Sequence, residues 1–267
     1  MTHPFDSYSL GATLYMPVLH PKVAPILHGR APAPADSLVL CLEDALAASD
    51  VPQGLSFLDD LISGLPGDEL PARTFLRPRN MHMARDLCER IRDSGIEGIV
   101  APKVTPQTLP EWLEITRKGN LSLMITLESP EFFDPSTIVA IRDVLNRNMI
   151  DAFRVVAIRL GGNDLLSSLA LRRERGVTSW ESPLGWLLSM ASSILIASGY
   201  PVAAPVYDII DDPETLQREA HRDVAAGFIS KTIIHPVQAA TIRQAFQVSS
   251  DDAVCAEAAI NVDAPAV

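Results

Sequence analysis

Apolar residues in this chain gather in short runs that end in charge, glycine or proline, and the construction recurs at regular spacing. The clearest case is LSLMITLESP, residues 121–130, where apolar side chains give way abruptly to Glu128. Runs of this kind read as strands covered on both faces, because such strands lose the apolar/polar alternation. Residues 13–18, 37–43, 73–79, 98–104, 154–160, 202–207 and 230–235 have the same form. Between them lie helical segments at 21–27, 55–62, 81–94, 106–118, 135–146, 183–197, 213–226 and 237–246. Met83, Leu87 and Ile91 illustrate the fourfold spacing that puts apolar side chains on one helix face. A longer excursion, 165–175, separates the sixth strand from its helix.

Four dipeptides phase the pattern independently. Thr105-Pro106, Asp134-Pro135, Ser182-Pro183 and Asp212-Pro213 each set a capping side chain before a proline suited to a helix's first position. Strand then helix, eight times, predicts an α/β protein: a (β/α)8 TIM barrel, which typically takes about 250 residues. The expected division is a barrel over 1–250 with a short C-terminal extension, helix and tail, over 251–267. Residues 31–35 (APAPA) are a surface loop and not a linker.

The chain's 267 residues are 47% hydrophobic, enough for a large core, with no apolar run of about 18 residues to span a bilayer. The formal net charge of −11 argues against nucleic-acid and anionic-membrane partners, both of which need a basic face. The opening MTHPFDSYSL lacks the basic and apolar regions of a signal peptide. Cys41, Cys88 and Cys255 have no metal or redox spacing. A cytoplasmic protein is expected.

Chemistry falls where strands end: Glu43, Asp44, Arg77, Arg79, Lys103, Glu128, Asp164, Asp208 and His235. In a parallel barrel these ends share one face, where active sites of the fold lie. Two carboxylates at neighbouring strand ends, Glu128 and Asp164, are hard oxygen donors suited to Mg²⁺; the alternative is a structural ion pair or helix cap. Glu43 and Asp44 divide between a catalytic proton role and capping the next helix. Arg77 and Arg79 share strand parity, and Lys103 either touches substrate or braces the barrel mouth. Gly161-Gly162 frees backbone to approach a ligand or makes a tight turn, and Asp208 either meets substrate or anchors its loop. His235 reads as a hydrogen-bonded turn residue, Lys231 as a buried partner for a carboxylate, and Arg159, inside an apolar run, requires a partner.

In order, LCLEDA, FLRPRN, APK, TLESP, GGNDL, PVYD and SKTIIHPVQ resemble the citrate lyase β-subunit/HpcH–HpaI aldolase family over about residues 14–246. The resemblance implies a Mg²⁺-dependent barrel, homo-oligomeric as a trimer or hexamer, that cleaves or forms C–C bonds in oxo-acids or acyl-CoA thioesters through a metal-stabilised enolate. It makes Glu128 and Asp164 metal ligands and Arg77 the substrate- and enolate-binding arginine. Arg79, Lys103, Gly162 and Asp208 join Arg77 as substrate-binding candidates, and Asp44 and Glu43 join it as catalytic ones. Gly11-Ala12 replaces the family's Arg-Ser, Cys41 an aspartate and Ser230 a glycine. CoA-thioester members also carry a longer C-terminal segment, so the acid or thioester substrate is unspecified. A phosphoenolpyruvate/pyruvate-type enzyme and a non-catalytic binding or assembly barrel are the alternatives.

Overall fold

The computed structural model describes residues 6–65, 67, 69–248 and 250–260. Eight strands, all parallel, close into one barrel in chain order. They are β1 (Ala12–Pro17), β2 (Ser37–Cys41), β3 (Arg73–Arg77), β4 (Gly98–Ala101), β5 (Ser122–Leu127), β6 (Val155–Leu160), β7 (Val202–Ala204) and β8 (Ser230–Ile233). The helices that carry the chain back are α1 (Val23–Leu27), α2 (Val51–Ser63), α3 (Met81–Arg90), α4 (Leu109–Gly119), α5 (Pro135–Arg147), α6 (Met149–Ala152), α7 (Gly162–Ser168), α8 (Leu184–Ile194), α9 (Pro213–Ala225) and α10 (Ala239–Phe246). A last helix, α11 (Ser250–Ile260), follows, and 261–267 of the expected tail lie outside the described residues.

The strands stop earlier than their apolar runs, and proline is one reason. β3, β4 and β7 end immediately before Pro78, Pro102 and Pro205, which have no N–H to continue the ladder. The charged residues thus stand just beyond the last paired position, free of sheet geometry. Of the cap–proline pairs, Asp134 and Asp212 cap α5 and α9, accepting from the N–H of Ser136 and Thr215. Thr105-Pro106 instead opens a turn closed by reciprocal Thr105–Thr108 bonds, and α4 starts at Leu109. The excursion expected after β6 is present and partly helical: α7 spans Gly162–Ser168, and α8 starts only at Leu184.

Apolar packing forms two zones. Val39, Phe75, Val100, Met124, Ala157 and Ala203 fill the barrel, and Leu10, from a turn ahead of β1, joins them. A larger zone lies between barrel and helices. Lys231 points into that outer zone, bonded at 2.7 Å to both Glu219 and Asp223 of α9, all three fully buried. This is the carboxylate pairing expected of it. His235 accepts from the N–H of Val237 and acts as a turn cap, also as expected.

Candidate active site at the barrel mouth

The ends of β2, β3 and β5 converge on the Arg77 guanidinium. Register aligns Cys41 with Arg77, so Glu43 and Asp44, on the turn after β2, rise beside it. Arg77 Nη2 lies 2.8 Å from Glu43 Oε2, 3.2 Å from Asp44 Oδ2, and 3.2 and 3.3 Å from the two Glu128 oxygens. Arg77, Glu43 and Glu128 are buried, while the Asp44 side chain is 60% exposed. Burial acts to lower the guanidinium's pKa, but Tyr15, Glu128 and Glu43 raise it above the usual value.

The two neighbouring acids at β2 differ. Burial raises Glu43, but the hydrogen bond with Asp44 and the charges of Arg77 and Lys103 together hold it below the usual carboxylate range. Burial and the Glu43 carboxylate beside it push Asp44 up. Glu43 is therefore the stronger acid of the pair and Asp44, the more exposed of the two, the weaker.

Glu128 is placed by three elements. Its own strand ends at Leu127, the Lys103 N–H donates to its Oε1 at 2.8 Å, and Arg77 meets both oxygens. Gly161 leaves it room, since a Cβ there would lie 2.4 Å from Glu128 Cβ and 2.8 Å from Oε2. Gly162 is equally confined, by Pro205. Burial drives the Glu128 carboxyl up to about 7; Arg77 and the Lys103 N–H oppose this, while the charges of Asp164 and Glu43 add to it.

Asp164 sits in the first turn of α7, exposed at the mouth. Two carboxylates that repel each other, one buried and one facing solvent, fit a divalent cation that keeps water or substrate in its remaining positions. Among the described residues no group of three or more His, Cys, Asp or Glu is placed to hold a metal ion by itself.

The remaining sequence candidates lie around this centre. Lys103 Nζ reaches Glu43 Oε1 at 3.1 Å and stays largely exposed. Arg79 donates to the backbone carbonyls of Glu43 and Leu46, clamping the loop that carries Glu43 and Asp44. Asp208 lies 2.9 Å from Arg173 Nε and accepts from the Asn163 side chain, linking the β7 and β6 loops. His235 stays in its turn.

Two contributors escaped the sequence reading. Tyr15, on β1, lies between the guanidiniums of Arg77 and Arg159, at 5.9 and 5.6 Å from its ring centre. Arg173, in the segment before α8, bonds Ser179 Oγ and the Val206 carbonyl, pairs with Glu219, and covers the Tyr207 ring. Neither stands at a strand end. The signal for Tyr15 was an aromatic at an inward position two residues before the end of β1.

The family model of the C–C bond lyases of the TIM-barrel fold matches residues 4–267. The chain belongs to this family. It is 24% identical over 237 residues to a (3S)-malyl-CoA thioesterase of Cereibacter sphaeroides, covering 88% of this chain and 75% of that one. Among solved structures it resembles RipC from Yersinia pestis, with a TM-score of 0.69 and 19% identity over 93% of this chain and 100% of that. The citrate lyase β subunit of M. tuberculosis, complexed with oxaloacetate and magnesium, gives a TM-score of 0.67 and 22% identity over 91% and 100%. These structural likenesses establish the barrel fold. Among the described residues no helix is long and apolar enough to cross a membrane.

Proposed function

We propose that the chain is a Mg²⁺-dependent carbon–carbon lyase acting on an oxo- or hydroxy-carboxylic acid or its acyl-CoA thioester. The observation that carries this is the single guanidinium of Arg77, held at the barrel mouth by Glu43, Asp44 and Glu128, with Asp164 beside them. Glu128 and Asp164 would hold the ion, which supplies Lewis-acid polarisation of the substrate's carbonyl or hydroxyl oxygen. Family membership and the magnesium and oxaloacetate of the citrate lyase relative support the reading.

Within it, Arg77 meets the negative charge that grows on the substrate oxygen as the C–C bond breaks. Its carboxylate clamp fixes the donor beforehand, so little reorganisation is needed when the charge appears. Asp44 takes up or returns the proton, because its oxygens reach solvent and its acidity is weakened by Glu43. Glu43 is the anchor. Lys103, Asp208 and the Gly162 backbone border the substrate, while Arg79 contributes by fixing the loop of Glu43 and Asp44.

A second reading, thioester hydrolysis, has the thioesterase relative and the exposed Asp44 in its favour, since Asp44 is placed to accept a proton from water. Incubation of the protein with Mg²⁺ and malyl-CoA, followed by NMR of the products, tests both. A two-carbon oxo-acid with acetyl-CoA supports the lyase; free malate with CoA supports the thioesterase. Unchanged substrate across a panel of oxo-acids and thioesters overturns both.

A further inference from the structure

The side chains that fill an eight-stranded barrel are typically branched and aliphatic. Here the layer beneath the carboxylate cluster is polar. Thr126 and Arg159 are register partners on β5 and β6, and Glu128 and Gly161 stand two residues beyond them. That places the layer about 7 Å below Glu128, at roughly 3.3 Å of rise per residue. Arg159 donates to Thr232 Oγ1 on β8 at 2.8 Å, contacts Met124 Sδ at 3.3 Å, and lies over the Tyr15 ring on β1.

Arg159 is 1% exposed, yet among the described residues no carboxylate pairs with it. Arg77, one layer up, has three. Burial disfavours the Arg159 cation, Tyr15 favours it, and the charge of Arg77 disfavours it further. A buried charge without a counter-ion is costly and persists where something else balances it. The surrounding groups are short of acceptors. Arg159 Nε, Arg77 Nε and Thr126 Oγ1 are buried and have no hydrogen-bond partner. Solvent nevertheless reaches the layer, because Tyr15 and Thr232 are both partly exposed.

We propose that Arg159, Tyr15, Thr126 and Thr232 form an anion position in the floor of the barrel mouth, which takes a carboxylate of the substrate. The reacting oxygen then meets Arg77 and Glu128 one layer above. This rests on the carboxylic-acid reading of the site and deepens it: the substrate carries a second carboxylate, remote from the one that shares the upper layer. A free inorganic anion would be recognised by the same donors, so the test separates the two sources.

Two measurements do this on wild type, Arg159→Met and Thr126→Val. The first is the melting temperature in a chloride-free, Mg²⁺-free buffer with added acetate or chloride. The second is calorimetric titration, with Mg²⁺ present, of pyruvate and of oxaloacetate, which differ by one carboxylate. Acetate should raise the wild-type melting temperature more than chloride does, and Arg159→Met should abolish the rise. Oxaloacetate should bind wild type about 10-fold more tightly than pyruvate, as one charge-assisted hydrogen-bonded contact supplies. Arg159→Met should erase that preference with pyruvate affinity kept, and Thr126→Val should reduce it.

An anion response or an oxaloacetate preference that survives in Arg159→Met overturns the anion position. A response to chloride equal to that of acetate, with no oxaloacetate preference, overturns its assignment to substrate. If neither oxo-acid binds while acetate still stabilises through Arg159, the anion position stands and the lyase reading falls. If Arg159→Met does not fold, a reduced preference in Thr126→Val supports the position and its full retention overturns it.

Discussion

Lys103 adopts a left-handed backbone conformation, φ 49°, and in it donates its N–H to Glu128 Oε1 at 2.8 Å. A side chain in that region costs roughly 1–2 kcal/mol, a cost glycine avoids. The strain sits at a residue bonded directly to a candidate metal ligand, and it aims a backbone donor at that carboxylate.

Replacing Lys103 by glycine relieves the strain while keeping the donating N–H. The lost Lys103–Glu43 bridge is largely exposed and contributes little. Lys103→Gly should therefore raise stability by up to about 1 kcal/mol in urea unfolding and leave Mg²⁺ affinity within about twofold. A less stable variant would mean that the ammonium, and not the backbone, is the important contact.

Gly161 tests the room left for Glu128. An alanine Cβ would collide with Glu128 Cβ at 2.4 Å, so one of them must move. Gly161→Ala should keep a cooperative thermal transition but weaken Mg²⁺ binding by more than about 10-fold, a misplacement effect of the kind that small shifts produce in preorganised sites. Unchanged metal affinity would show that Glu128 is not held where the ion binds.

The buried Lys231–Glu219–Asp223 group ties β8 to α9. Removing the cation in Lys231→Met leaves two buried carboxylates, at a cost of about 3–5 kcal/mol at neutral pH. Burial already places Asp223 at about 6 despite Lys231, whereas Lys231 and Arg173 outweigh burial and hold Glu219 below its usual value; without the lysine both acids shift upward. The folded state then binds more protons than the unfolded chain above pH 4, so the variant's stability should fall as pH rises from 5 to 8. A pH-independent loss measured by urea unfolding would contradict this assignment.

Asp212 has the opposite sign. Its carboxyl is held down at about 2, chiefly by the Tyr207 hydroxyl; burial opposes this, and the Gly176 and Thr215 N–H groups add to the lowering. Such a group contributes stability that is complete above its unfolded value near 4 and is lost as pH falls toward 2. Asp212→Asn should melt below wild type at pH 7, and the two melting temperatures should converge between pH 4 and 2. A constant gap would place the effect outside ionisation.

The barrel was legible in the sequence because each strand is buried on both faces and so announces itself as an apolar run, whatever its partners. The cluster of Glu43, Asp44, Arg77 and Glu128 was legible for a related reason: parallel closure converts strand-end positions into neighbours. Other features depend on contacts that no local pattern encodes. The left-handed turn at Lys103 follows a proline but has no glycine or asparagine to signal it. Tyr15 carries no charge and reads as one more apolar strand residue, although closure sets it between two arginines. Arg173 lies in irregular chain, and its partners come from Asp208, Ser179, Val206 and Glu219, up to 46 positions away. Arg159 was recognisable as an anomaly, but its neighbours Thr232 and Tyr15 became apparent only once β8 closed against β1.

In the proposed function, Glu128 and Asp164 hold a divalent cation whose coordination an oxo-acid completes. Isothermal titration of Mg²⁺ with and without oxaloacetate, on wild type and on Glu128→Gln, tests it most directly. Each ligand should strengthen the other's binding by the same factor in wild type, and the coupling should vanish in the variant. Absence of Mg²⁺ binding to wild type, or equal binding to Glu128→Gln, would contradict the account.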